Sequence, residues 1–263
     1  MQLIEAHERA LFVNHKAIFF THDGLIVDCN HHSPLVPFNV YKELGISIET
    51  SYLDNNILII QGEAPRSLTD QIFNNHFRLY SVKVFLNETC KETQQQILRG
   101  IHWLTWNSRM KYCSQCGGKL ELVPASLEKK CRLCDRSFYP NLSPAVMVLI
   151  QRDDEILLAR SAYFKPGLYS AIAGFVDIGE TAELAVHREV QEEVGIQISN
   201  LEYFGTQSWP FPNSFMVAFK AQWLQGDIKI DQQEIEDARW FKIKNLPELP
   251  PAFSIARRLI ESF

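Results

Sequence analysis

Gly174-Phe175-Val176-Asp177-Ile178-Gly179-Glu180, then seven residues ending in His187, then Arg188-Glu189-Val190-Gln191-Glu192-Glu193-Val194-Gly195-Ile196 is the stretch on which this chain turns. Thr181 offers an N-cap hydroxyl, Glu180 and Glu183 lie near the positive end of the helix that follows, and Gly195 supplies a left-handed residue to stop it. A helix over Thr181 to Val194 is therefore expected. On a 3.6-residue repeat Glu189, Glu192 and Glu193 fall within about 100° of arc, beside an apolar stripe of Ala182, Val186, Val190 and Val194. Three carboxylates on one face repel one another unless a cation sits among them. Their oxygens are hard ligands that suit Mg²⁺ or Mn²⁺. Arg188, one turn from Glu192, can hold that side chain in place.

Outward from the helix, Ala145 to Ile150 and Ile156 to Ala159 read as strands joined by a turn at Asp153-Asp154. Further strands are expected at Tyr169 to Val176, Met216 to Trp223 and Ala238 to Ile243, and a last helix at Ser254 to Phe263. This region is mixed α and β. In the first hundred residues, short runs at Ala17 to Thr21, Leu25 to Asp28 and Ile57 to Gln61 suggest a small strand-rich domain. A helix over residues 92 to 110, with Ile97, Ile101, Trp103 and Leu104, leads toward the cysteines.

The net charge of -5 gives no general attraction to nucleic acid or anionic lipid, so a phosphate substrate needs local cations or bound metal. The start, Met1 to Arg9, lacks the basic-then-apolar pattern of a secretory signal, and no apolar run approaches the roughly 20 residues that span a bilayer. A cytoplasmic protein with no membrane partner is expected. Of the six cysteines, Cys113-x2-Cys116 and Cys131-x2-Cys134 are spaced as two zinc knuckles, while Cys29 and Cys90 read as ordinary buried or half-buried thiols. Four sulfurs leave no open position, so the ion, one Zn²⁺ per chain, would be structural. A thioredoxin-like redox pair would need a strand-to-helix setting that is not evident. Lys129, Lys130, Arg132 and Arg136, with Arg109 and Lys111 before them and Arg99 extending the surface, form either a solvated basic face or a nucleic-acid contact. The segments expected are 1–110, strand-rich with its linking helix; 111–138, the ribbon; and 139–263, the catalytic domain.

The stretch quoted first satisfies every specified position of the Nudix box, Gly-x5-Glu-x7-Arg-Glu-aliphatic-x-Glu-Glu-x-Gly-aliphatic. Average residue usage puts an accidental match on the order of one in 10⁷. The resemblance implies an α+β fold, a Nudix α/β/α sandwich, here preceded by the ribbon and the N-terminal strands. It also implies hydrolysis of a nucleoside diphosphate linked to a second group, with Glu189, Glu192, Glu193 and Arg188 as the catalytic set and Glu180 in support.

Past the box, Thr206-Gln207-Ser208-Trp209-Pro210-Phe211-Pro212-Asn213-Ser214 resembles the Ser-Gln-Pro-Trp-Pro-Phe-Pro-x-Ser signature of the NADH pyrophosphatases, with Thr206 for Ser and Ser208 for Pro. Two aromatic rings held by two prolines make a stiff apolar wall against which a flat base can stack. Ribbon, box and signature resemble that family from about residue 95 onward. The resemblance implies cleavage of NAD(H) to NMN(H) and AMP, with removal of an NAD cap from RNA 5′ ends as a related reaction. It implies a catalytic metal held by the Ala173 carbonyl, Glu189, Glu193 and Glu234, with Glu236 a rival for Glu234. Tyr139, Phe175 and Ala256, with Gln207 through Ser214, would contact substrate. Members are homodimers, so a homodimer is implied. Competing readings are a Nudix enzyme for ADP-ribose or diadenosine polyphosphates, and a nucleic-acid-binding module that keeps the fold without catalysis.

Overall fold

The computed structural model describes residues 2–3, 14–63, 72–73, 76–123 and 126–263. Residues 4–9 of the start, where a secretory signal was discounted, lie outside the described residues. The chain divides into two units, Met1–Asn141 and Leu142–Phe263.

In the first unit β1 (Gln2–Leu3), β2 (Lys16–Phe20), β3 (Leu25–Asp28), β4 (Val36–Pro37), β5 (Ser47–Asp54), β6 (Ile57–Glu63), β7 (Ile72–Phe73) and β8 (Phe77–Tyr80) form one sheet. Its order is β1-β5-β6-β2-β3-β8-β7, with β4 on β2. Asn55 and Asn56, both at positive φ (47° and 64°), close the β5–β6 hairpin, the backbone that asparagine tolerates better than other side chains. Ala17 and Phe19 of β2 join a core with Ile26, Val36, Phe38, Leu58 and Ile60. A short helix, α1 (Val40–Glu43), precedes β5, and α2 (Val82–Glu88) and α3 (Lys91–Arg109) follow β8. Phe20 and Ile59 are neighbours of Gly100 on α3. Beyond α3, β9 (Leu120–Leu122), β10 (Lys129–Cys131) and β11 (Ser137–Phe138) make a small antiparallel sheet with β10 central.

The second unit holds a six-stranded sheet of β12 (Ser143–Arg152), β13 (Glu155–Ser161), β14 (Ile172–Phe175), β15 (Gln197–Trp209), β16 (Ser214–Gln225) and β17 (Ile235–Lys242). The order is β15-β16-β12-β13-β17, with β14 on β12. Only β12 and β16 pair in parallel among the registers of this sheet, as a strand buried on both faces favours. Strand alternation sorts the apolar run of β12 to two sides. Val146, Val148 and Ile150 pack with Ala185, Val186, Val190 and Val194 of α4 (Ala182–Val194). Met147 and Leu149 pack with Ile255, Ala256, Leu259 and Ile260 of α5 (Ile255–Ile260). A mixed sheet between helices is the α+β arrangement expected of a Nudix fold.

Three expectations change in detail. The strand anticipated over Tyr169 to Val176 is confined to Ile172–Phe175, with Ser170 making a lone bridge to Ala159. The last helix ends at Ile260, and Cys90 is exposed rather than buried. The 13-residue β15 was not anticipated at all. Its pairing with β16 shifts register three times between Gln197 and Gly205, and Asn200 turns to φ 52°, so its sequence never alternates cleanly.

Candidate active site and metal clusters

The helix α4 begins as its sequence asks: the Thr181 hydroxyl accepts from the Leu184 N–H at 3.2 Å, and Gly195 at φ 69° ends it, donating to the Val190 and Gln191 carbonyls. Arg188 organises its carboxylates. Its Nε and Nη2 donate to the two Glu180 oxygens at 2.9 Å, and its Nη1 donates to Glu189 at 2.8 Å and Glu192 at 2.9 Å. Nη2 also reaches the Phe175 carbonyl at 2.8 Å. One guanidinium thereby ties the end of β14 and the loop after it to α4. The Arg188 side chain beside Glu180, with the Asp177 N–H as a second donor, lowers the Glu180 pKa.

The Gly174 backbone lies directly against the Glu189 carboxylate. A Cβ on residue 174 would stand 1.9 Å from Glu189 Cδ, so only glycine leaves that space. Glu189 and Glu193 are buried, 7% and 6% exposed; Glu189 has Arg188 as a partner, whereas burial of a carboxylate such as Glu193 without a cation is rare. Burial raises the pKa of Glu189. Burial, and then Glu189, Glu234 and Glu192, push Glu193 up to about 8. Oxygens of Glu189, Glu193 and Glu234 lie within 4.8 Å of one another. Glu192 is outside that group, exposed and paired with Arg188. Glu236, the rival of Glu234, is paired with Arg160 at 2.6 Å. Three converging carboxylates, two of them buried, fit a hard divalent cation, which would relieve the repulsion that raises Glu193.

The other sequence-predicted residues are distributed as follows. Ala173 lies on β14 opposite Met147, Phe175 is exposed at the strand end, and Ala256 is buried in the first turn of α5. Tyr139 is exposed and belongs to the first unit. The stretch 206–214 is only partly a loop: Thr206 to Trp209 complete β15, Pro210 to Asn213 turn, and Ser214 opens β16 opposite Trp209. Ser208 pairs with Phe215, so the position that lacks proline is strand. Phe211-Pro212 is cis. Trp209 meets Phe211 edge-on at 5.2 Å and stacks on Phe253 at 5.4 Å and 17°. The wall is therefore backed by a third, buried ring, 44 positions away, which no local signal announces. Gln207, expected on substrate, spends its amide on the chain: Nε2 donates to the Phe253 carbonyl at 2.9 Å and Oε1 accepts from the Ile255 N–H at 2.6 Å. It ties β15 to the start of α5. Asn213 Nδ2 likewise donates to the Ser143 hydroxyl at 3.3 Å.

The four cysteines of the first unit converge. All are free thiols, with Cys113 and Cys134 sulfurs 3.7 Å apart and those of Cys116 and Cys131 3.5 Å apart. Tetrahedral Zn–S bonds of about 2.3 Å imply sulfur separations of about 3.8 Å. The two knuckles share one pattern: Gly117 and Asp135, both at positive φ, donate to the Cys113 and Cys131 carbonyls at 2.9 and 3.1 Å. Backbone N–H groups, that of Cys134 first, lower the Cys131 thiol to about 7. The Gly118 N–H lowers Cys116, but the neighbouring sulfurs outweigh it and hold that thiol up at about 12. Four such thiols ionise together only around a cation, so the donor set is compatible with structural zinc.

The basic cluster is less open than its sequence suggests. Lys129 is buried, donating to the carbonyls of Asn107 at 2.9 Å and Met110 at 2.6 Å at the end of α3. Burial, with Lys111 nearby, lowers its pKa to about 8. Lys130 pairs with Asp135, Arg132 with Glu121 and Arg99 with Asp54.

A family model described as the NUDIX domain matches residues 141–263. That match spans the whole of the second unit. Curated relatives named NAD-capped RNA hydrolase NudC are 47% identical to the chain over 158 residues in Pseudomonas aeruginosa strain LESB58 and 52% over 150 residues in Chromobacterium violaceum. Those matches cover 60% and 57% of this chain, and in both cases 57% of the relative, so the chain spans a little over half the length of the curated relatives it matches. A solved Nudix hydrolase from Nitrosomonas europaea is 25% identical, with a TM-score of 0.47 covering 58% of this chain and 91% of that one. The resemblance to the NADH pyrophosphatase family read from the Nudix box and the Trp209 stretch thus recurs over the longer aligned segment. Among the described residues, no helix is long and apolar enough to cross a membrane.

Proposed function

We propose that this protein is a metal-dependent hydrolase that cleaves the pyrophosphate of NAD(H) into NMN(H) and AMP and also removes NAD caps from RNA 5′ ends. The observation that carries the chemistry is the convergence of Glu189, Glu193 and Glu234, two of them buried, with no cation balancing Glu193 among the described residues. The substrate reading is supported by the similarity to relatives named for NAD-capped RNA and by the rings of Trp209 and Phe211, with the buried Phe253 behind Trp209.

In this reading Glu189, Glu193, Glu234 and the Ala173 carbonyl would hold Mg²⁺ or Mn²⁺. When bound, such an ion lowers the pKa of water and offsets charge on phosphate oxygens. The chain itself contributes position. Arg188 holds Glu189 and Glu192 on the helix, and burial beside Glu189 and Glu234 fixes Glu193 where a cation would be held. Trp209 and Phe211 would stack a base, with the buried Phe253 backing Trp209, Phe175 as a further wall and Ala256 contributing backbone; Tyr139 is assigned to substrate by the resemblance alone. The proposal extends to a homodimer in the cytoplasm, with segments 1–110, 111–138 and 139–263 acting as strand domain, zinc ribbon and catalytic domain.

The test is incubation with NADH, ADP-ribose and a short NAD-capped RNA, each with Mn²⁺ or Mg²⁺, followed by chromatography of the products. AMP and NMNH released from NADH are expected. Cleavage of ADP-ribose alone would refute the dinucleotide reading, and no cleavage would leave a binding module. Trp209→Ala is expected to lower kcat/KM for NADH by about 10-fold or more, the loss of roughly 1–3 kcal/mol of stacking, while changing ADP-ribose turnover less. Equal losses on both substrates would show that Trp209 serves packing. Metal analysis of fresh protein is expected to give one zinc per chain, retained under mild chelation that strips the catalytic ion. Cys131→Ser is expected to lose that zinc and to unfold the ribbon at lower temperature, read from thermal denaturation.

A further inference from the structure

Glu234 is exposed, on a segment with no regular structure between the end of β16 and the start of β17, yet its carboxylate is delivered to two buried glutamates. The backbone of Asp231 is the hub of that delivery. Its N–H donates to the Glu193 carbonyl at 3.1 Å, and its own carbonyl accepts from the N–H groups of Glu234 at 3.1 Å and Ile235 at 2.8 Å. Two residues earlier the Lys229 N–H donates to the Val194 carbonyl at 2.9 Å, so the segment runs along the last turn of α4 and satisfies carbonyls that a helix end leaves unpaired. Ile235, buried at the far end, fixes the segment in the core shared with α4.

What shapes the turn between these anchors is the Asp231 side chain. Its Oδ1 accepts from the Gln233 N–H at 2.9 Å, folding residues 231–233 into an Asx turn that points residue 234 back toward α4. No other side-chain hydrogen bond is made to the backbone of residues 232–234 among the described residues. We propose that Asp231 is a positioning residue: through its turn it holds Glu234 in register with Glu189 and Glu193, and so sets the affinity of the cluster for a divalent cation. It acts by accepting one hydrogen bond and not by its charge. This inference rests on the reading of Glu234 as a metal ligand.

The experiment is Mn²⁺ binding to the purified 263-residue chain, with free Mn²⁺ counted by electron paramagnetic resonance and no turnover required. Glu234→Gln, Asp231→Ala and Asp231→Asn are compared with the parent, and thermal unfolding of each verifies the fold, which an exposed residue leaves intact. Asp231→Ala is expected to weaken Mn²⁺ binding by about 10-fold, the lower end of what loss of an orienting partner costs a metal site. Asp231→Asn, whose side-chain oxygen accepts the same bond, is expected to bind like the parent. If Glu234→Gln weakens binding while Asp231→Ala does not, the positioning role is refuted and the ligand reading stands. If Asp231→Asn is as weak as Asp231→Ala, the carboxylate acts by charge and the proposal also falls. If Glu234→Gln itself binds like the parent, the ligand reading fails independently of Asp231.

Discussion

Replacing Glu193 by Gln is expected to lower turnover on the order of 10³-fold while leaving the fold intact, and to make the metal-free protein more stable at alkaline pH. The first follows from the loss of a ligand to the catalytic ion, the second from the burial of the carboxyl. Glu193 is 6% exposed, and burial together with Glu189, Glu234 and Glu192 pushes its pKa up to about 8. A carboxyl held above its unfolded value of about 4.3 keeps its proton in the folded chain after the unfolded chain has lost it. Metal-free stability therefore falls as pH rises from about 4.5 toward 8, and above 8 the full penalty of a buried charge is present. Glutamine has no proton to lose. The variant should match the parent near pH 4.5 and exceed it by on the order of 3 kcal/mol at pH 8 to 9, as measured by denaturant unfolding in chelator. The same linkage makes cation binding stronger as pH rises, because metal competes with the proton. A folded Glu193→Gln variant with near-normal turnover would refute the active site, and an advantage in stability that does not grow with pH would refute the buried-carboxyl account.

Gly174→Ala is expected to do its damage through Glu189. The new methyl would meet Glu189 Cδ at 1.9 Å and both carboxylate oxygens within 2.2 Å. Those atoms are the far end of a flexible side chain, so Glu189 can swing away and β14 can keep its pairing with β12. The displaced carboxylate leaves the cluster and the Arg188 Nη1 that held it. Mn²⁺ affinity should fall by more than about 10-fold with only a modest shift in Tm, a split that titration and thermal unfolding read separately. Full metal affinity in this variant would mean that Glu189 is not a ligand.

These two residues mark how far the sequence reaches. The glycine that opens the box was legible as a required position, but nothing along the chain said that its missing Cβ makes room for a carboxylate 15 residues later. The helix itself was legible in full, because its cap, its apolar stripe and its stop are local: Thr181, Val186, Val190, Val194 and Gly195 act within a turn or two. The same holds for the four cysteines, whose spacing is a property of two tight knuckles. Strand β15 escaped because bulges break its alternation, and Phe253 escaped because stacking on Trp209 joins segments with no periodic relation.

The sequence by itself determined the elements whose physics is short-range: the carboxylate helix, the knuckles, and the doubly buried β12 with its continuous apolar run. Only the tertiary structure decided which groups meet. It brought Glu234 rather than Glu236 to Glu189 and Glu193, left Glu192 at the surface with Arg188, turned Gln207 inward to the α5 backbone and buried Lys129 under α3. The reason is that burial and repulsion among charges depend on distances in space. Those distances are set by how the sheet and its flanking helices close over residues far apart in the chain.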